Sequence, residues 1–242
     1  MLVVRDLTVR YRRSAIGFLW TMLSPLLTML VMEVVFSKLF QFALKDYPVY
    51  VFPGILFWNF FSQSVVSSMN SLKGNAALLQ KLPVPKAVFP IATTLSGVVN
   101  LLFALVPLTL ILLWTGHRMN GTLAFVPVGI AAAAAFTLGV GLLLSPLAVF
   151  FSDVVEMVTV LLTLIMYLTP VFYPMSILPA RFRSIVEWNP LQIILQVFRE
   201  PIYNCRIPDV RFIFWAIVAA GGALFLGTLV FQRSSDRIPY YL

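Results

Sequence analysis

Polar positions in this chain punctuate long apolar runs, and the lengths of those runs set the first expectation. A bilayer core about 30 Å thick needs roughly 20 apolar residues of helix to cross it. Six runs come up to that length, at about 16–39, 49–70, 87–114, 122–150, 154–174 and 212–231. Two further apolar stretches, 177–188 and 190–203, are too short to span and carry Arg181, Arg183, Glu187, Arg199 and Glu200. In the second, Gln192, Gln196 and Arg199 fall at helical spacing opposite Ile194, Leu195, Phe198 and Ile202. That spacing predicts an amphipathic helix that lies on the membrane interface or dips into it. Ahead of the first run, Val4, Leu7 and Tyr11 share one helical face while Arg5, Thr8 and Arg12 share another. The segment reads as a basic interfacial helix or as a positive flank that sets topology, and the two readings are compatible.

Composition supports the membrane reading. Of 242 residues, 60% are hydrophobic and 11% charged, and the mean hydropathy is +0.95. Globular chains are about 45–50% apolar and roughly a quarter charged, so the excess apolar surface must face lipid. The formal charge of +8, from 17 Lys+Arg against 9 Asp+Glu, does not point to nucleic acid, because no basic stripe with interleaved aromatics accompanies it. The apolar run after the N-terminal arginines, from Ala15 to Phe36, is longer than the 7–15 residues of a signal-peptide core and has no small-residue cleavage site. Six spans place both termini on one side. Taking that side as cytoplasmic gives it nine of the lysines and arginines, among them Arg5, Arg10, Arg12 and Arg13 ahead of the first span. Those four decide the orientation, with both termini in the cytoplasm.

Chemistry-bearing residues are sparse. Cys205 stands alone, so there is no internal disulfide, and no Cys/His cluster has metal-ligand spacing. His117 is expected to be a solvated loop residue. No phosphate loop, nucleophile elbow or zinc-protease motif is present, and Cys205 has no base partner in sequence. The chain thus has no visible means of hydrolysing ATP.

Within the spans, Asn59, Gln63, Ser67 and Asn70 recur every three or four residues and share a face. Lipid leaves such groups unsatisfied, so the stripe looks toward other helices or toward a wet cavity. Asn100 has the same two readings. Gly129, Ala133, Thr137, Gly141 and Ser145 form a ridge of small residues suited to close helix packing. Glu33 is the acidic residue set well inside a span, either as a functional carboxylate or as an interfacial one. Asp153 and Glu156 stand where an N-cap and its partner belong. The 21 Phe, 8 Tyr and 5 Trp serve chiefly as interface belt and core, although Trp20, Phe57, Trp58, Phe60 and Phe61 also suit a path for sugar rings.

The stretch "NAALLQKLPVPKAVFP", residues 75–90, is a stiff basic elbow between the second and third spans. About two turns of helix fit before Pro83 and Pro85 stop it. The elbow would then offer Leu78, Leu79, Gln80 and Lys81 at the cytoplasmic surface.

These stretches, together with "RDLTVRYRRSAIGFLWTMLSPLLTML", "FPGILFWNFFSQSVVSSMNSLKGNAALLQKLPVPK", "FSDV" and "LTPVFYPMSILPARFRSIVEWNPL", resemble the membrane subunit of type-2 ABC exporters for lipid-linked polysaccharides, the O-antigen and teichoic acid permeases. The resemblance covers nearly the whole chain with its motifs in order. It implies an all-α integral membrane protein, one transmembrane domain over 1–242 with six transmembrane helices. An interface helix at 3–13 would include Arg5, Tyr11, Arg12 and Arg13, and a coupling helix at about 75–86 would use Asn75, Leu78, Leu79, Gln80, Lys81, Pro83, Pro85 and Lys86. A re-entrant outer region at 176–203 would follow, with an outer mouth at Tyr173, Trp188, Asn189 and Pro190. Trp20, Trp58, Asn59, Phe60, Phe61, Gln63 and Ser67 are candidate channel-lining residues. The implied assembly is a homodimer with two copies of an ABC ATPase subunit, which would use ATP and Mg, while this chain binds no cofactor. The implied work is to move an undecaprenyl-linked glycan across the cytoplasmic membrane. Two features depart from the family pattern: relatives carry more sequence ahead of "RDL", and Ser152 stands where they have a basic residue. A drug or small-lipid exporter is the nearer alternative; a membrane enzyme using Glu33 and outer-loop arginines is the more distant one.

Overall fold

Every regular element among the described residues is helical. The structure, a computed structural model, describes residues 3, 19–39, 46–81 and 84–241. The expected interface helix, with Arg5, Tyr11, Arg12 and Arg13, lies outside the described residues, as does Pro83.

Helix α1 (Trp20–Met32) continues as a wider helical turn, Glu33–Leu39, in which Glu33 is half-buried. It is followed by α2 (Tyr47–Gly74), the short α3 (Ala76–Lys81) and α4 (Val88–Trp114). A 3-10 turn at Gly121–Phe125 leads into α5 (Val126–Phe150), and then come α6 (Val154–Leu168), α7 (Ala180–Glu187), α8 (Pro190–Tyr203) and α9 (Val210–Ser235). A last 3-10 turn covers Ile238–Tyr240. Four segments among the described residues are long and apolar enough to cross a membrane: α2, α4, α5 with its leading turn, and α9. The most apolar stretch of α2 is 78% buried, against 33%, 33% and 17% for the other three. Helix α2 is therefore the axle, and the others expose hydrocarbon outward.

Two differences from the sequence expectation have clear causes. Helix α6 ends at Leu168, not near 174, because Thr169 precedes Pro170 and adopts extended backbone. At 15 residues it is about 22 Å long at 1.5 Å per residue, shorter than the hydrocarbon core. Asp153 does not cap α6 with its side chain. Its carboxylate instead accepts a hydrogen bond from Ser152 Oγ at 2.9 Å, and Glu156 is exposed.

Helix α8 does not lie on a surface. Ile194, Leu195, Phe198 and Ile202 are at most 1% exposed, packed with residues of α2 and α5 in the main core. The small-residue ridge of α5 is buried along its length, and Gly129 lies so close to Phe198 that a Cβ there would sit 2.7 Å from its Cα. Helices α5 and α9 approach still more closely at Gly139 and Gly227, where a Cβ on Gly227 would collide with the Gly139 carbonyl. Glycine at both positions permits this backbone contact.

A second, smaller core holds one end of the bundle together: Leu72, Phe89, Leu142, Val149, Phe231 and Ile238. The described residues of the elbow, 75–81 and 84–88, and the turn at Ile238–Tyr240 share that end. At the opposite end His117 is a tie between loops, contrary to the solvated state expected. Its Nδ1 lies 3.2 Å from Asp46 Oδ2, and its Nε2 lies 2.9 Å from the Tyr203 carbonyl oxygen. Its ring stacks on Tyr203.

Candidate functional site

Three groups of residues, arranged from one end of the bundle to the other, combine polarity with position. The first is the elbow. Asn75 closes α2 by donating from Nδ2 to the Ser71 carbonyl at 2.8 Å, and its own carbonyl accepts from Leu78 and Leu79 N–H to start α3. The side chains of Leu78 and Leu79 turn inward onto the second core. Gln80, Lys81 and Pro85 are exposed. Of the four residues expected to be offered outward, then, only Gln80 and Lys81 are. Lys86 Nζ donates to the Ser235 carbonyl at the end of α9.

The second group is a groove between α2 and α6. Trp58, Ser62, Gln63, Val66 and Ser67 line one side, with Thr159, Leu162, Thr163 and Met166 on the other, around about 360 Å³. Among the described residues its lining holds hydroxyls, one amide, an indole and apolar groups. Such a surface both donates and accepts hydrogen bonds and presents an aromatic face, a match for a polyol with apolar C–H surfaces. Of the stripe read from the sequence, exposed Gln63 and half-buried Ser67 line this groove, whereas half-buried Asn59 and exposed Asn70, which donates to the Val66 carbonyl at 3.1 Å, are outside its lining. Phe60 and Phe61, named as channel-lining candidates, are core residues, 5% and 4% exposed. They sit on the inner face of α2, one helical step away from the polar stripe. Trp20 is exposed on α1 and lies outside the groove.

The third group closes the far end of α6, and sequence reasoning missed its centre. After Thr169 the chain reverses, leaving carbonyls with no helical donors. Side chains from α2 and α8 supply them. Arg199 donates to the Pro170 carbonyl at 2.9 Å and to that of Val171 at 3.0 Å. The Tyr47 hydroxyl donates to the Phe172 carbonyl at 2.8 Å, and the Tyr50 hydroxyl to the Tyr173 carbonyl at 2.9 Å. Four successive carbonyls are thus held by three side chains. The Arg199 guanidinium also sits 4.2 Å from the centre of the Tyr50 ring, and a Cβ at residue 54 would collide with it, which accounts for Gly54.

Arg199 is 7% exposed. Burial draws its pKa down while Tyr50 and Tyr47 act the other way, and a guanidinium stays charged in proteins. Carbonyl dipoles and the Tyr50 face compensate its lost hydration. Burial raises the phenol of Tyr173 above its ordinary value, chiefly by desolvation, so it remains a neutral donor, here to the Tyr167 carbonyl at 2.7 Å. Of the outer-mouth candidates, Asn189 caps α8 through Leu191 N–H and donates to Thr169 Oγ1 at 3.0 Å, with Pro190 in the first helical position. Trp188 is 76% exposed and packs edge-on against Trp215. A sequence signal for Arg199 did exist: a cation one step from the apolar face of Ile194, Leu195, Phe198 and Ile202, and a Thr-Pro turn about 30 residues earlier that leaves carbonyls free.

Comparisons with known proteins agree with this architecture. The model of the family described as ABC-2 type transporter matches residues 1–203. The O-antigen export system permease protein RfbA of Myxococcus xanthus is 34% identical over 211 residues, covering 86% of this chain and 81% of that protein. The protein of the same name from Klebsiella pneumoniae is 28% identical over 203 residues, covering 83% and 78%. The polysialic acid transport protein KpsM of Escherichia coli is 20% identical over 244 residues, covering 98% and 93%. With its family match, apolar spans and buried polar axle helix, this chain belongs to the ABC-2 type transporter family.

Proposed function

We propose that this chain is the permease subunit of an ATP-driven exporter in the cytoplasmic membrane, that a separate ATPase subunit supplies the force, and that the cargo is an undecaprenyl-linked polysaccharide. The observation that carries the reading is the elbow. It is a short helix with an exposed cationic step, Gln80 and Lys81, whose opposite face, Leu78 and Leu79, is fastened into a core shared by α2, α4, α5 and α9. A surface that is gripped on one side and anchored on the other transmits displacement without bending.

The cargo assignment draws on the groove and on the relatives. Two relatives are named for O-antigen export and one for polysialic acid transport. In this chain Gln63 and Ser67 face a space where lipid would leave them unsatisfied, opposite Thr159 and Thr163, whose hydroxyls donate to carbonyls of their own helix. A second copy of the chain across that space turns the groove into one wall of a polar path between two subunits. With both termini cytoplasmic, the elbow meets the ATPase and the Arg199 turn stands at the outer end. ATP binding draws the ATPases together, the elbows move, and the path opens; the chain itself breaks no covalent bond.

The test separates contact from anchoring. Lys81→Glu with Gln80→Glu is expected to lower ATP hydrolysis of the purified complex by about tenfold or to release the ATPase, while the permease retains its unfolding midpoint. Unchanged ATPase binding and turnover in that variant would refute the elbow's role.

A further inference from the structure

The elbow is tied to a second part of the chain for which nothing above gives a role. Lys86, two residues before α4, places Nζ 2.5 Å from the carbonyl oxygen of Ser235, the last residue of α9. That carbonyl is one of the helix-end acceptors with no donor in its own helix, and an ammonium there complements the negative end of the helix dipole. The chain then turns back, and Ile238 becomes fully buried in the small core beside Leu72, Phe89, Leu142, Val149 and Phe231. Leu78 and Leu79 pack on the same core. Tyr241 packs edge-on against Phe150 at its rim, the ring centres 5.1 Å apart.

We propose that the C-terminal segment, from Phe231 through Tyr241, is a working part of the coupling unit, through which elbow displacement reaches α9 directly. This rests on the elbow reading. The chain of contact is continuous. Lys86 joins the elbow to the end of α9, Ile238 wedges between elbow-facing residues and α5, and α9 joins α5 by backbone contact at Gly139 and Gly227. Helices α5 and α9 therefore move as a pair when the elbow moves. Helix α2 packs closely on α5 where Gly141 meets Ser68 and follows that pair, whereas α6 lies across the groove, so such a displacement alters the width of the space lined by Gln63 and Thr159. Packing and one charge-assisted hydrogen bond supply the connection; no change of secondary structure is required.

The experiment uses the full permease–ATPase complex in lipid vesicles, supplied with the undecaprenyl-linked glycan fraction extracted from source membranes. Export per ATP hydrolysed is read for Lys86→Met, Lys86→Arg, Ile238→Ala and Lys81→Glu, with ATPase co-purification measured alongside. Lys86→Met and Ile238→Ala are expected to lower export per ATP by about fivefold, at the lower edge of usual coupling effects, with normal co-purification. Lys86→Arg, which still donates to Ser235, restores it, and Lys86→Met combined with Ile238→Ala is no worse than the more severe of the two singles because both act on one connection. Normal export per ATP in Lys86→Met and Ile238→Ala, with Lys81→Glu uncoupled, overturns the role of the C-terminal segment and leaves the elbow reading standing. If Lys81→Glu is coupled as well, both readings fall. Lys86 is half-buried at the surface, so its variants fold even where Ile238→Ala does not, and Lys86→Met then decides alone.

Discussion

Arg199 shows how a charge becomes tolerable in an apolar bundle. Its guanidinium fork satisfies two carbonyls that α6 abandons, and Gly54 leaves it the room. Replacing it with methionine keeps the bulk but strands the carbonyl of Val171 and leaves that of Pro170 only the Tyr50 hydroxyl, 3.5 Å away. Each stranded buried acceptor costs about 1–3 kcal/mol, so Arg199→Met is expected to destabilise the protein by roughly 3 kcal/mol, read as a lowered unfolding midpoint in detergent. Arg199→Lys regains only part of this, since an ammonium is a point charge that does not reproduce the planar fork. Tyr50→Phe, which loses one hydrogen bond but keeps the ring under the guanidinium, costs only about 1 kcal/mol. Equal midpoints for Arg199→Met and the parent would show that the turn holds itself. Arg199 was hard to read from sequence for a physical reason. Helical spacing groups it with Gln192 and Gln196, and its partners are backbone carbonyls, which have no residue signature. His117 was opaque in the same way, because its Nε2 meets the carbonyl of Tyr203.

At the scale of elements, hydropathy located the long helices well where apolar runs were uninterrupted. Helix α4 was expected at 87–114 and runs Val88–Trp114. It failed at the end of α6, where the apolar run continues through residues 169–174 but the Thr-Pro junction stops the helix; local backbone chemistry outweighed composition there. Inward and outward faces were legible for the stripe on α2 and the ridge on α5. The turning of Leu78 and Leu79 onto a core built from five other elements was not, since that core is assembled from residues far apart in the chain. The α5–α9 contact yields a paired prediction. Gly227→Val forces backbones apart and is expected to cost about 1–3 kcal/mol as overpacking. Gly222→Ala, where a Cβ meets open space, is neutral or gains up to about 1 kcal/mol from helix propensity. Comparable midpoints for the two variants would contradict the close approach.

For the whole molecule, the balance is between a sealed axle and a polar seam. Helix α2 is enclosed on most sides, yet its polar stripe opens toward α6. Replacing Gln63 and Ser67 with leucine and alanine is expected to lower glycan export several-fold while leaving assembly and basal ATP hydrolysis intact, as measured by co-purification and phosphate release; unaltered export would remove the groove from the path. Composition announced the membrane and the motif order announced the family, but which apolar faces meet lipid and which meet protein follows only from packing. The most direct test of the account as a whole is transport by the purified complex in sealed vesicles, following the undecaprenyl-linked glycan from one leaflet to the other. The account predicts movement that requires ATP, the ATPase subunit and an intact elbow together. Movement or modification of the glycan by this chain alone, without ATP, would contradict it.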